Sequence, residues 1–398
     1  MELAVVPRLR RPLRAERQPD PLRDQFSRVV EASALELLDP DRIEAIGEDM
    51  GVIRRHRVHH PGLLVCSLIL SAFERSTDTE GRWLDAQCTY EMLGGPEAGK
   101  TSFRNQTRKM LPVLKELLRR RLRQLAEGAP TTALRGRLHD FANVLIPDGC
   151  AFKVASALSG IYPGTGQDAE LKLHAVYNVA ARTATSVEMS AGRVHDSDGF
   201  WPKRWESGAL YIWDLGYNSH KRFIDATVGG AIVLQRLKEG ANPVVVASNG
   251  PTGVRRAVVG DDNRPVRLLD ACEFGWVHHQ RVLDLDVVLT DERRSVLARV
   301  VCVPFGGEER YYLTTLPREV FTAHDVAELY RVRWEVELFF RNWKGAVRLD
   351  EVRRLEHPVS LEVAITASLL AAVLARDMST GLERLAEQAA QASAAISP

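Results

Sequence analysis

The segment Tyr330–Lys344, YRVRWEVELFFRNWK, lines up four polar side chains along one edge of an expected helix. On an ideal helix Tyr330, Arg333, Glu337 and Lys344 fall within an arc of roughly 60°. Leu329, Val332, Val336, Phe339, Phe340 and Trp343 fill an adjoining arc of roughly 100°. Such a helix docks by an apolar face and presents a phenol, two cations and a carboxylate beside it. An (i, i+4) ion pair between Arg333 and Glu337 on a solvated face accounts for part of this pattern. It does not explain why a tyrosine and a second cation share the stripe. Metal-assisted phosphoryl transfer uses carboxylates that converge from separate rigid elements on two Mg²⁺ ions about 4 Å apart. Acids at the ends of adjacent strands meet that need. NVLIPDG puts Asp148 just past an apolar strand, and LYIWDLGYNSH puts Asp214 at the end of another, before a turn at Gly216.

Other residues compete for a chemical role. Asp196 falls in a loop that could face the same site, and is expected to support it from behind rather than join it. His139-Asp140 reads as a loop pair. Gly94–Thr101, GGPEAGKT, satisfies the phosphate-loop pattern. The preceding RWLDAQCTYEML reads as a helix, however, and a true phosphate loop follows a strand, so a Gly-rich turn between helices is expected. Neighbouring histidines in a strand face opposite ways. His59-His60 and His278-His279 are therefore read as surface or loop residues, not as metal ligands.

Tyr-x2-Arg-x3-Glu-x6-Lys resembles the signature of bacterial insertion-sequence transposases of the IS-four type. NVLIPDG is similar to that family's Asp-Gly-Ser-like first motif, and DLGY to its Asp-x-Gly-Tyr second one. LKLHAVYNV around His174 and GRVHDSDGF resemble the strand and loop between the two acids. The resemblance covers roughly residues 140 to 350. It implies an RNase H-like core in which Asp148, Asp214 and Glu337 hold two Mg²⁺ or Mn²⁺ ions. It also implies phosphate contacts by Arg333 and Lys344, with Tyr330 near the strand end; the sequence itself offers Trp334, Tyr311 and Tyr312 as candidate stacking surfaces. The expected partner is DNA, both terminal inverted repeats and target, bound by a homodimer that cuts and joins through a hairpin. A nuclease or resolvase without strand transfer, or a retired DNA-binding repressor, are the alternatives. Cys150 stands where the family has Ser or Thr, and Pro147 directly precedes the first acid.

These residues need a scaffold, and 398 residues are enough for two or three domains. The expected fold is α/β: an RNase H-like catalytic core interrupted by a β-rich insertion, with a helical N-terminal region. Residues 1–137 read as a helical DNA-binding region, with apolar positions at helical spacing from Leu111 to Leu125. Residues 138–239 form the first part of the core, with strands at Asn143–Ile146, Leu171–Ala180, Leu210–Trp213 and Ala231–Leu237 and a helix at His220–Thr227. Residues 240–316 are the β-rich insertion, 317–355 the second part of the core with a long helix from Ala323, and 356–398 a helical tail. Only about 60 residues follow Glu337, so no large C-terminal dimerisation domain is assumed.

The net charge of +1 does not announce a nucleic-acid partner, but nine Lys or Arg stand between Lys100 and Gln124 against Glu116 alone. Arg8, Arg10, Arg11, Arg14 and Arg17 add to the basic total. Such clusters suit phosphate contact, or equally a solvated helix face. Five cysteines without a CxxC pair exclude a disulfide framework and a structural zinc site. The N-terminus lacks the apolar run of a signal peptide. Leu63–Phe73 is too short to span a bilayer, and Val359–Ala375 reads as a buried helix. A soluble, cytoplasmic protein, nucleoid-associated when bound to DNA, is the expectation.

Overall fold

The computed structural model describes residues 37–54, 59–74, 79–129, 134–198, 202, 204–238, 240–249, 255–257, 264–273, 282–305, 308–347 and 352–396. The N-terminal arginines and His278-His279 lie outside them. The described chain opens with five helices: α1 (Pro40–Asp49), α2 (Pro61–Ser71), α3 (Thr79–Met92), α4 (Lys100–Lys109) and α5 (Leu111–Glu127). Asp39 caps α1 by accepting from the amides of Asp41 and Arg42, with Pro40 at the first turn. RWLDAQCTYEML lies within or just beyond α3, so no strand precedes GGPEAGKT. That segment is a turn in which a side chain at Gly95 would strike the Tyr90 ring. In α5 the apolar stripe is buried through Val113, Leu114, Leu117, Leu118 and Leu122, each contributing roughly 1.5–3 kcal/mol by burial.

Among the described residues eleven strands form one mixed sheet: β1 (Val144–Lys153), β2 (Glu170–Asn178), β3 (Thr183–Ala191), β4 (Leu210–Trp213), β5 (Ile232–Arg236), β6 (Val244–Asn249), β7 (Arg255–Ala257), β8 (Val266–Arg267), β9 (Leu283–Thr290), β10 (Ser295–Phe305) and β11 (Glu308–Thr314). The spatial order is β3-β2-β1-β4-β5-β11-β10-β9-β6-β7, with β8 paired to β6. β1, β4 and β5 run parallel, and the other pairings are antiparallel. The β-rich block from 240 to 316 thus continues the sheet, because β11 pairs with β5. α6 (His220–Val228) connects β4 to β5, and α7 (Leu268–Glu273) is a short helix within the block expected to be β-rich. Asn242 explains this local turn into helix: its side chain accepts the Leu269 amide at 2.8 Å.

The long helix expected from Ala323 is two helices, α8 (Ala323–Arg331) and α9 (Trp334–Val347). α10 (Pro358–Ile396) follows. Its stretch Pro358–Gln388 is long and apolar enough to cross a membrane, yet 78% of its most apolar window is buried inside the structure. Leu361, Val363, Ile365, Leu369, Leu370 and Val373 pack into the core shared by the N-terminal helices and one face of the sheet. The basic stretch helps hold it there. Arg108 donates to the Ser360 hydroxyl at 2.7 Å, Lys115 pairs with Glu362 at 2.5 Å, and Arg121 with Asp377 at 2.7 Å. Arg104 pairs with Glu80, and Arg119 and Arg120 with Glu116. Six of the nine cations therefore serve contacts within the chain.

Candidate active site

The site lies where two parallel strands part. β1 pairs with β4 only at Val144↔Leu210 and Leu145↔Tyr211. Asp148 and Asp214 each follow that last pair by three residues, so they stand level at the open end, where α/β sheets place ligands. Sequence ends the first strand near Ile146. The structure instead continues β1 to Lys153, because β2 keeps pairing with it, Asp148 opposite Ala175. Val179 donates its amide to Val144 O at 3.0 Å. Backbone alternation then turns Ile146 and Asp148 toward β2, and Leu145 and Pro147 toward β4. Pro147 lacks its N–H on the side where no partner strand remains, so it costs no ladder bond. The Gly149 amide, on the same open side, donates to Asp148 Oδ1 at 2.7 Å.

Arg333 joins the acids. The amides of Val332, Arg333, Glu335 and Val336 donate three residues back, to Leu329, Tyr330, Val332 and Arg333. This tightened turn separates α8 from α9. It carries Arg333 inward, where its side chain is 17% exposed. Each guanidinium nitrogen faces a different carboxylate. Nη1 lies 3.7 Å from Asp148 Oδ2, Nε lies 3.9 Å from Asp214 Oδ1, and Nη2 bonds Glu337 Oε1. Tyr330 donates its hydroxyl to Asp214 Oδ1 at 3.0 Å. Of the four stripe residues, Arg333 thus meets both aspartates, Tyr330 meets Asp214 and Glu337 meets Arg333, while Lys344 sits further along α9 with its charge acting on the Cys150 thiol.

The electrostatics follow from burial and crowding. Burial pushes the Asp148 carboxyl up to about 6, and Asp214 and Asp196 add to the rise against the Gly149 amide and Arg333. Burial opposes the Arg333 charge, but Asp214, Glu337 and the Tyr330 hydroxyl outweigh it and its pKa is raised. Burial also raises the Tyr330 phenol, reinforced by Asp214. Cys150, two residues beyond Asp148, is buried and its thiol is pushed up to about 12, again by burial first. Behind β1, His174 lies 3.3 Å from the Tyr217 hydroxyl and 2.8 Å from the Ser190 hydroxyl. A side chain at Gly149 would meet that Tyr217 oxygen at 3.0 Å, which explains the glycine after the first acid. Asp196 pairs with Lys172 at 3.0 Å and presses on Gly216, where a side chain would lie 2.8 Å from its Oδ2. It braces the loop after Asp214 and stays outside the Arg333 contacts.

A family model for the transposase DDE domain matches residues 139–374, a span that takes in all three acids. This chain belongs to that family. Its relatives include the transposase of insertion sequence element IS231F from Bacillus thuringiensis subsp. israelensis, 21% identical over 55% of this chain and 53% of that one. The transposase of IS421 from Escherichia coli is 42% identical over 66 residues, 17% of this chain and 18% of its own. The chain spans about half the length of the first of these relatives. A piggyBac transposase synaptic complex with hairpin DNA aligns over 90% of this chain and 76% of its own, at 11% identity and a TM-score of 0.36.

For a DDE-domain chain the question is whether these side chains suit a divalent cation. The donors are all carboxylate oxygens, the set that hard divalent ions favour. Three carboxylates face one guanidinium, and Asp148 is raised by burial first, with Asp214 and Asp196 adding to it. The residues fit in chemistry and charge. Among the described residues, however, no three His, Cys, Asp or Glu stand close enough to hold a metal as placed, and Arg333 lies among the acids. A groove of about 970 Å³ opens beside it, lined by Tyr312, Tyr330, Trp334, Arg310 and His324. Tyr312 packs on Tyr330 with ring centroids 5.0 Å apart. Trp334, 53% exposed, borders the groove. Tyr311 does not, because neighbouring residues of β11 point to opposite faces; its hydroxyl donates to Glu309. Sequence reasoning missed Arg310 and also Arg236, which follows the Trp213↔Gln235 pair as Asp214 does and acts on both Tyr330 and Tyr312. Only strand pairing brings them there.

Proposed function

We propose that this protein is a DNA transposase that cuts and joins the ends of an insertion sequence by metal-assisted phosphoryl transfer at Asp148, Asp214 and Glu337. One observation carries the reading: two aspartates level on parallel strands, and a glutamate from a helix, face a single arginine. An RNase H-like core is supported by the order β3-β2-β1-β4-β5, with β1, β4 and β5 parallel. On that reading β6–β11 form the insertion before the catalytic helix, and the N-terminal helices carry DNA-binding surface.

Two Mg²⁺ or Mn²⁺ ions bound there would activate the attacking oxygen and stabilise the leaving one. The protein's own groups do the rest. Tyr330 orients Asp214 through its hydroxyl. Arg333 and Lys344 hold strand phosphates, and Trp334 and Tyr312 offer faces for a displaced base. Water cuts first, and the freed 3′-hydroxyl then attacks the opposite strand to give a hairpin. Terminal inverted repeats and target DNA are the substrates, and a homodimer pairs the two ends.

The test uses a labelled element end, Mg²⁺ and a target plasmid, resolved on a denaturing gel. Wild type should give a nick, a hairpin and joined product, while Asp148→Asn should shift the end DNA without cutting it. Cleavage that never leads to joining would replace this reading with a nuclease. Binding without any cleavage would replace it with a repressor.

A further inference from the structure

The position of Arg333 deepens the proposed metal reading, on which the following rests. We propose that Arg333 is a built-in counter-ion that occupies the cation's place between Asp148 and Asp214, and that metal binding displaces it into the neighbouring groove, where it takes a substrate phosphate.

Its three nitrogens face three different carboxylates, so it stands at their common centre. Two of those contacts, at 3.7 and 3.9 Å, are too long for hydrogen bonds. The guanidinium is thus attracted to the aspartates without being locked to them. Its firm bond is to Glu337, one turn on in α9, and that bond leaves the head of the side chain able to turn. A divalent ion held by Asp148 and Asp214 would lie within a few ångströms of the guanidinium, where like charges in a half-buried site repel strongly. Both cannot rest there.

The exit is already open. Arg333 itself lines the groove with Tyr330, Trp334 and Arg310, a cationic and aromatic lining suited to a phosphate and base. Exchange would keep the acids apart from one another without metal. It would also couple metal loading to phosphate capture, because the displaced guanidinium becomes available when the ions arrive. Each ligand then favours the other by the same factor.

The experiment is Mn²⁺ binding to the full chain, followed by the loss of the free-ion paramagnetic resonance signal, with and without a short DNA duplex. Arg333→Met should bind Mn²⁺ about tenfold more tightly than wild type, because the competing charge is gone. Arg333→Lys should stay near wild type, and Arg384→Met, exposed on α10 and outside the groove lining, should change nothing. Duplex should tighten Mn²⁺ binding in wild type and lose that effect in Arg333→Met. Unchanged or weaker Mn²⁺ binding by a folded Arg333→Met overturns the exchange. If Arg333→Met does not fold, Arg333→Gln carries the same comparison. Wild type and both neutral variants all failing to bind Mn²⁺ would instead overturn the metal reading itself, and the exchange with it.

Discussion

The sheet carries two clusters of aspartate and arginine, and they are built on opposite principles. On β9 and β10, Arg299 forks onto both oxygens of Asp284 at 2.9 and 2.6 Å. It also donates to Phe321 O at 2.7 Å, and Arg318 reaches Asp284 at 3.1 Å and Asp286 at 2.5 Å. Two cations meet two anions, and Arg299 and Asp286 are each 5% exposed. At the ends of β1 and β4, three carboxylates share one arginine, and both aspartate contacts are looser than any of the Asp284 and Asp286 bonds. The first cluster is neutral, short-bonded and closed on itself. The second has surplus negative charge, long contacts and an open groove. Charge balance and bond length, more than burial, separate the two clusters, and they are what favours the proposed metal site at the second.

Breaking each cluster should therefore do different damage. Asp148→Ala, Asp214→Ala and Glu337→Ala should each lower Mg²⁺-dependent cleavage on the order of 10³-fold or more. End binding in a gel-shift assay should hold, and the melting temperature should not fall. A triad variant that cleaves at near wild-type rate removes that residue from the site. Arg299→Met should show the reverse. It removes the bidentate partner of half-buried Asp284 and leaves it to Arg318 alone, at up to about 3 kcal/mol of stability, read by urea unfolding. Cleavage per folded molecule should be unchanged. Equal loss of stability in both sets would erase the contrast.

The burial of Asp148 beside two other carboxylates should also be visible as a pH dependence. Asp148 titrates at about 6 in the folded protein against an ordinary 3.8. Its raised folded pKa means that the folded state binds the proton more tightly than the unfolded state does. Its contribution is then most favourable below about pH 4 and is lost as pH rises through 6, up to about 3 kcal/mol. Metal-free wild type should lose stability over that window. Asp148→Asn should flatten the slope, while Arg299→Met should leave it in place. Thermal melts between pH 4 and 8 decide the matter, and a wild type flat from 4 to 7 contradicts the raised Asp148 carboxyl.

Much of this was legible in the chain. Leu210–Trp213 reads as a strand and is one, since four apolar residues run unbroken between turn residues. The three acids that face Arg333 stand out in the sequence because two follow apolar runs and the third sits at helical spacing from Tyr330 and Arg333. β3 was missed because TATSVEMSA is a polar edge strand with no clear alternation. The continuation of β1 through Asp148 and Gly149 was hidden because both residues read as a strand's end. No proline or glycine marks the break at Val332 and Arg333, so a helical wheel runs straight across it. With that break, Arg333 keeps its bond to Glu337 and also faces Asp148 and Asp214. The contribution of Arg236 depends on β5 lying beside β4, a pairing that residue spacing alone does not reveal.

The smallest expected effect concerns the link between the groove and the acids. Tyr330 joins them twice, its ring packed on Tyr312 at 5.0 Å and its hydroxyl on Asp214 at 3.0 Å. Tyr330→Phe keeps the first and removes the second. A hydrogen bond to a carboxylate is worth about 1.5–3 kcal/mol, but the Asp214 side chain is 40% exposed and water can take the vacated place. The loss should fall near or below the lower limit, about 1 kcal/mol, which is about fivefold in single-turnover nicking. Stability should change by less than about 1 kcal/mol. Tyr330→Ala removes the ring as well, and should go further by stalling after the nick, when the strand end must be held in the groove. If the phenylalanine and alanine variants are equally impaired, the hydroxyl alone matters and the groove holds no part of the strand. If both match wild type at every step, Tyr330 is only packing, and the loosely bonded acids lose their link to the aromatic groove.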